Sequence, residues 1–187
     1  MDPEQGVKWA GRAAEVEAAL LQRSYDERRG LFFDLAGRDE RPVPVSTWSA
    51  LAPLALPGLP EDVRRRIVEE HLLHRGRYQA GWGIPSVALS EPEFNPNFAV
   101  WRCWRGPSWM NIAWPLVPPM RELGYIAEAE RVVRSLELTV DRHGYREYYS
   151  PLTGRGLGAR GFAFATLLID LLAECELEAA SRPAGVA

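Results

Sequence analysis

A chain of 187 residues with a net charge of −3 and both signs interspersed is one large domain or a piece of a larger one. It lacks the basic excess that nucleic acid or an anionic membrane surface would select. An apolar fraction of 47% suffices for a substantial core, and seven Trp, six Tyr and six Phe can pack it and still line a cleft. Cys103 and Cys175 are too few for a disulfide framework, the N-terminus is polar and acidic, and no uncharged apolar run could span a bilayer, so the expected location is the cytoplasm.

Val7 to Leu21 has helical period: Val7, Ala10, Ala14, Ala18 and Leu21 form one stripe, with Trp9, Ala13, Val16 and Leu20 beside it. Tyr25 to Asp34 then turns into a short extended aromatic piece, Gly-Leu-Phe-Phe-Asp, and Arg38 to Val45 is a charged, proline-punctuated loop. Ser46 is placed to cap a helix from Thr47 to about Leu54. Pro60 suits the first turn of a third helix, with Val63, Ile67 and Leu72 buried and Arg64, Arg65 and Arg66 on a solvated face. His71 and His74 stand three apart, a metal-pair spacing without an evident third ligand. They read as partners of the helix C-terminal dipole.

Gly76 to Val100 is long and irregular, and a loop of that length in a compact domain is usually functional or mobile. It contains Gly-Trp-Gly-Ile-Pro-Ser, with Trp82 a candidate ligand contact. Pro107 fits the first turn of a fourth helix, Gly106 allows close backbone approach, and Cys103 reads as a buried thiol. Trp109, Ile112 and Ala113 would begin the buried stripe of that helix, which Pro115, Pro118 and Pro119 should kink or end early. Tyr125 to Val140 is the clearest helix, with Ile126, Ala129, Val133, Leu136 and Val140 at strict helical spacing. Phe162 to Cys175 is a sixth, strongly apolar helix, and Ser181 to Ala187 a frayed tail.

Between the last two helices, Asp141 to Gly154 is too rich in Gly, Pro and aromatics to continue either. In an extended backbone Tyr145, Glu147 and Tyr149 share one face, setting a carboxylate between aromatic rings. Pro151 and Gly154 can close a turn. Rings cover the apolar faces of a sugar, and a carboxylate activates water or protonates an oxygen. Helices alternating with loops that carry short extended pieces indicate an all-α layered fold. The Gly-then-aromatic segments at 30–34 and 144–148 suggest a helix-hairpin repeat that closes into a toroid.

Two segments carry a family resemblance. Trp104-Arg105-Gly106-Pro107-Ser108-Trp109-Met110-Asn111 resembles the Trp-Arg-Gly-Pro-x-Trp-x-Asn motif of the glucosidase and mannosylglycerate-hydrolase group of (α/α)6 glycosidases. Glu147 to Gly154 resembles that group's Glu-Tyr-Tyr-Asp-Pro-x-Thr-Gly, with Ser150 in place of the acidic residue. The resemblance implies an incomplete (α/α)6 toroid of about six helices, in which residues 1–180 are the C-terminal half of the catalytic domain and 181–187 a flexible tail.

It implies an inverting glycosidase acting on an α-glucoside or α-mannoside, glycosylglycerates among them, without cofactor or metal. Glu147 would be the general base. Trp104, Arg105, Gly106, Trp109 and Asn111 would contact the sugar, as would Tyr148, Tyr149 and Trp82. An inverting pair leaves room for water, with carboxyls roughly 6.5–9.5 Å apart, so the acid must come from another loop. The family's acid lies in a Gly-Trp-Asp-like segment that this sequence lacks; Asp34 is the nearest substitute. A complementary N-terminal half or a second copy would then supply it. The competing readings are a sugar-binding or scaffold remnant without the acid, and a histidine-dependent sugar epimerase of the same toroid class.

Overall fold

The computed structural model describes residues 3–95, 101 and 103–181. Helix α1 (Pro3–Arg23) leads into two small antiparallel hairpins, β1 (Tyr25–Asp26) with β2 (Leu31–Phe32) and β3 (Asp34–Ala36) with β4 (Arg41–Val43). Helix α2 (Trp48–Leu51) tightens into a 3₁₀ turn (Ala52–Ala55), and α3 (Glu61–Arg66) loosens into a π-helical segment (Ile67–Leu72). Residues 73–95 are irregular, and α4 (Met110–Glu122) and α5 (Ile126–His143) follow. A third antiparallel hairpin, β5 (Arg146–Tyr149) with β6 (Gly156–Arg160), separates α5 from α6 (Leu167–Ser181), which enters through a 3₁₀ turn at Ala163–Thr166. The fold is thus helical, with short hairpins in the connections.

Helix α4 is the hub. It packs against α5, α6 and the 52–55 turn, which explains why Ile112, Ala113, Leu116, Val117 and Met120 are all buried around it. Leu51, Leu54, Ile67, Leu136 and Leu171 complete a single core. The expected stripe of α5 is present, with Ala129, Val133 and Leu136 buried. Helix α1 differs: Val7 is 75% exposed, Trp9 60% and Val16 56%, and the helix touches the core through Leu20 and Leu21. Glu17 fastens it by accepting the Gly58 N–H (3.1 Å).

Several expectations need correction. The prolines do not end α4, which runs through Pro115, Pro118 and Pro119. Proline fits helical φ, Pro119 is buried and the other two half-buried, and packing against α5, α6 and the 52–55 turn offsets the roughly 3 kcal/mol that an interior proline costs. Pro107 does not start the helix, because Ser108 is committed to strand-like bonds with Tyr149 (2.8 and 2.9 Å) and cannot be helical. Ser46 is not a cap: its N–H goes to Glu91 (3.0 Å) and its hydroxyl to Tyr78 (3.1 Å).

The arginine run is not a solvated face. Buried Arg64 donates to the Leu54 carbonyl (3.2 Å) and pairs with Glu122 (2.7 Å). Arg65 donates to the Leu123 carbonyl (3.1 Å) and Arg66 to that of Glu27 (2.8 Å), so the run staples loop carbonyls. His71 is no dipole partner either. It is buried, its Nε2 donates to the Arg29 carbonyl (2.8 Å) and its Nδ1 accepts from Arg77 (2.6 Å). Burial first, then the Arg77 charge, hold its pKa down at about 4, so the ring is neutral. Both cysteines are free, and Cys103 is half-buried, not buried. Ser181 ends α6 and the rest of the expected tail lies outside the described residues.

Candidate active site

The residues of the two motifs meet because Ser108 pairs with Tyr149, laying the segment from Trp104 to Trp109 alongside β5. Ser86, fully buried, holds that segment from the other side. Its N–H donates to the Pro107 carbonyl (2.9 Å), its hydroxyl accepts from the Gly106 N–H (3.0 Å) and donates to the Trp104 carbonyl (3.2 Å), and its carbonyl accepts from Trp48 (2.9 Å). Trp109 is anchored by its own ring N–H, donated to the Cys103 carbonyl (2.9 Å).

This bracing builds an aromatic row. Trp104 and Trp109 stack with ring centres 4.0 Å apart and planes within 2°, Trp48 lies 6.5 Å from Trp104, and Tyr148 lies 4.9 Å from Trp109. Trp109 and Tyr148 are buried, whereas Trp104 is 44% exposed and offers one face to a ligand. Phe164, 6.4 Å from Trp109, continues the wall from the turn before α6.

Glu147 stands beside Tyr148 on β5. The expected alternation of Tyr145, Glu147 and Tyr149 is broken by a register shift between Arg146 and Tyr148, so Glu147 and Tyr148 both lie against Gly158. A Cβ at Gly158, whose φ is +64°, would sit 2.5 Å from the Glu147 carboxylate and 2.7 Å from the Tyr148 ring, so the bare backbone is what admits both. Glu147 Oε2 accepts the Ala159 N–H (3.0 Å), and among the described residues the carboxylate makes no ion pair. Its charge is felt locally: the Cys103 thiol is pushed up by burial and then by Glu147, and the Tyr148 phenol by burial, then Cys103 and Glu147.

The remaining candidates fall in different places. The Arg105 guanidinium is exposed and makes no hydrogen bond among the described residues, while its carbonyl accepts from Asn95 (2.7 Å). Asn111, on the first turn of α4, has a buried Oδ1 without a protein donor. Tyr149 points inward: its phenol donates to the Gly144 carbonyl (2.9 Å) and accepts the Arg146 N–H (3.0 Å). Trp82 sits apart from the row, under the Arg142 guanidinium (5.0 Å) and against Gly154. Asp34 is bound by the Ser49 hydroxyl (3.1 Å), beside Trp48 at the far end of the row.

Trp48, Ser86 and Phe164 were not anticipated. The length of the loop around Pro85 points to a functional or mobile segment, but nothing in its composition singles out a serine with four bonds. A concavity of about 960 Å³ lies between α5, α6 and residues 78–84, and none of the motif residues lines it. Among the described residues no three His, Cys, Asp or Glu side chains gather to hold a metal ion, and no helix is long and apolar enough to cross a membrane.

Residues 2–165 match the family described as the mannosylglycerate hydrolase MGH1-like glycoside hydrolase domain. The chain belongs to this family. Among curated relatives of this MGH1-like chain, the mannosylglycerate hydrolase of Thermus thermophilus is 32% identical over 167 residues, and that of Rubrobacter radiotolerans 30% over 176. These alignments cover 89% and 91% of the chain but 38% of each relative. The crystal structure of a GH63 mannosylglycerate hydrolase from Thermus thermophilus in complex with glucose superposes with a TM-score of 0.77 at 30% identity, covering 92% of this chain and 41% of that one. A second crystal structure of that enzyme holds Tris and D-glycerate. Neutral trehalase from Saccharomyces cerevisiae, at 19% identity and a TM-score of 0.68, shows the fold alone. These neighbours are (α/α)6 enzymes, and the MGH1-like chain spans about two fifths of the mannosylglycerate hydrolases it matches.

Proposed function

We propose that the chain is the C-terminal half of an inverting glycoside hydrolase, with Glu147 as general base and the Trp104–Trp109–Tyr148 row as one wall of the sugar cleft. The observation that carries this reading is the setting of Glu147. One oxygen is fixed by a backbone amide, no cation pairs with the carboxylate among the described residues, and the next residue, Tyr148, belongs to the row that ends on the exposed Trp104 indole. Such a carboxylate is oriented and not committed to a cation, which suits it to accept a proton from an attacking water. Trp104 would support the ring of the sugar, Arg105 would hold hydroxyls or a carboxylate with its free fork, and Asn111 and Tyr148 would add hydrogen bonds. Gly106, Tyr149 and Trp82 would then shape the cleft through backbone and packing.

The substrate would be a small α-mannoside or α-glucoside. The glucose and D-glycerate held by the Thermus enzyme favour a sugar joined to glycerate. The general acid would come from a complementary half or a second copy closing the toroid, and the unpacked apolar stripe of α1 supports such a closure. The test is hydrolysis of mannosylglycerate and aryl α-glycosides by the chain mixed with the N-terminal portion of a relative. Glu147→Gln should lower kcat by about 10²–10⁴-fold while leaving sugar binding intact. Undiminished turnover by that variant sinks the assignment. Tight sugar binding with no turnover in the completed assembly selects the non-catalytic reading.

A further inference from the structure

Adjacent residues of β5 serve two separate places. Glu147 lies against Gly158 and Ala159, whereas the Arg146 stem lies against Gly156 and His143. There the hairpin and the last turn of α5 enclose a concavity of about 740 Å³ lined by Arg142, His143, Arg146, Arg155 and Arg160, with no carboxylate in its wall. A Cβ at Gly156 would meet the Arg146 Cγ at 2.5 Å and the His143 Cβ at 2.9 Å, so the glycine is what lets these side chains close over the backbone.

Six arginines elsewhere are paired with carboxylates, and among the described residues those of the hollow are not. Arg23, Arg41, Arg65, Arg66, Arg131 and Arg134 each hold a carboxylate within hydrogen-bond reach. In the concavity Arg142 lies over Trp82, and Arg146 donates to the Gly158 carbonyl (2.8 Å). Exposed Arg155 and Arg160 make no side-chain hydrogen bond or ion pair among the described residues. Four guanidinium groups share one hollow on a chain whose net charge is −3, and among the described residues no carboxylate lines it. Like charges so gathered repel, and an oxyanion with several acceptor oxygens relieves that repulsion while filling the forks of the free arginines.

We infer that this concavity binds a small molecule bearing a phosphate or carboxylate group. The site goes beyond the proposed hydrolysis and involves none of its residues. It is tested by calorimetric titration of the whole chain with inorganic phosphate and, separately, D-glycerate, at an ionic strength held constant with chloride. Saturable binding at one site is expected. Arg155→Ala combined with Arg160→Ala should weaken it about tenfold or more, and Arg142→Gln several-fold. The control pair Arg131→Ala and Arg134→Ala, basic residues of α5 outside the hollow, should leave it unchanged. Thermal melts should show the hairpin double variant folded, since the exposed side chains it removes make no hydrogen bond or ion pair among the described residues. Tighter phosphate binding identifies a phosphoryl-bearing ligand, and tighter D-glycerate binding a carboxylate. The inference falls if neither probe saturates, or if the hairpin double variant binds as tightly as the parent.

Discussion

Helices α1 and α5 carry the same pattern and meet opposite fates. Both place apolar residues at helical spacing with charges opposite. In α5 the stripe of Ala129, Val133 and Leu136 is buried against α4 and α6, whereas in α1 Val7, Trp9 and Val16 stand in solvent. Amphipathic spacing states that a helix has a face to bury; it does not state what covers that face. For α5 the cover lies within this chain. For α1 the described residues cover only Leu20 and Leu21, and the chain spans 38% of the length of the Thermus relative.

The comparison breaks most visibly in the core. Leu136→Ala removes a fully buried side chain of α5 and should cost about 2–5 kcal/mol, read from urea unfolding. Trp109→Ala should fall in the upper part of that range and also free Trp104, detected as a loss of the stacked-indole signal in near-ultraviolet circular dichroism. A cost for Leu136→Ala no larger than that of an α1 substitution would mean that the two helices are not different in kind.

Arg64→Ala probes the frame that holds α4 in place. It leaves the Leu54 carbonyl without its donor, and should cost about 1–3 kcal/mol in the same unfolding experiment. The paired Glu122 side chain is 61% exposed, so Glu122→Gln should cost far less. Equal effects would place the ion pair, not the buried donor, at the root of the stability.

Acid sharpens the comparison for the segment just after α1. His71 joins α3 to the Arg29 carbonyl of the first hairpin. Its folded pKa, about 4, lies below its ordinary 6.5, so as pH falls the unfolded chain takes up the proton first. The stabilisation is therefore complete above pH 6.5 and is lost as pH drops toward 4. His71→Gln, which can keep both hydrogen bonds without titrating, should flatten the fall of the urea midpoint across that window. An unchanged slope would assign the acid sensitivity to other groups.

The helices were legible because their apolar periods survive in the fold, and α5 in particular lies where its spacing put it. What the sequence hid was geometry set by distant partners. Pro115, Pro118 and Pro119 read as breakers because propensity is local, whereas the packing that overrides them comes from α5 and α6. Arg64 read as a surface charge because the carbonyl it serves is ten residues away in the 52–55 turn. At the candidate site, the motifs named Glu147, Trp104 and Trp109, and the fold brings their two segments together. The shift at Arg146 that turns Tyr149 inward depends on pairing with β6 and has no signature in the spacing of aromatics. Ser86 was invisible for the same reason: its four bonds run to Trp48 and to the 104–107 segment, both distant in sequence.

The smallest expected effect is the most discriminating. Val7→Asp and Val16→Asp alter side chains of α1 that already stand in solvent, so each should change the stability of the isolated chain by no more than about 0.5 kcal/mol. The same substitutions should abolish co-elution with a complementary N-terminal half, because they place carboxylates on the stripe that would be buried. Trp9→Ala should act in the same direction by removing the largest exposed ring of the helix. If these changes destabilise the isolated chain instead, α1 already packs in solution and its contrast with α5 vanishes. If they alter neither stability nor association, the stripe is not a docking face, and the closing half must approach the chain along some other surface.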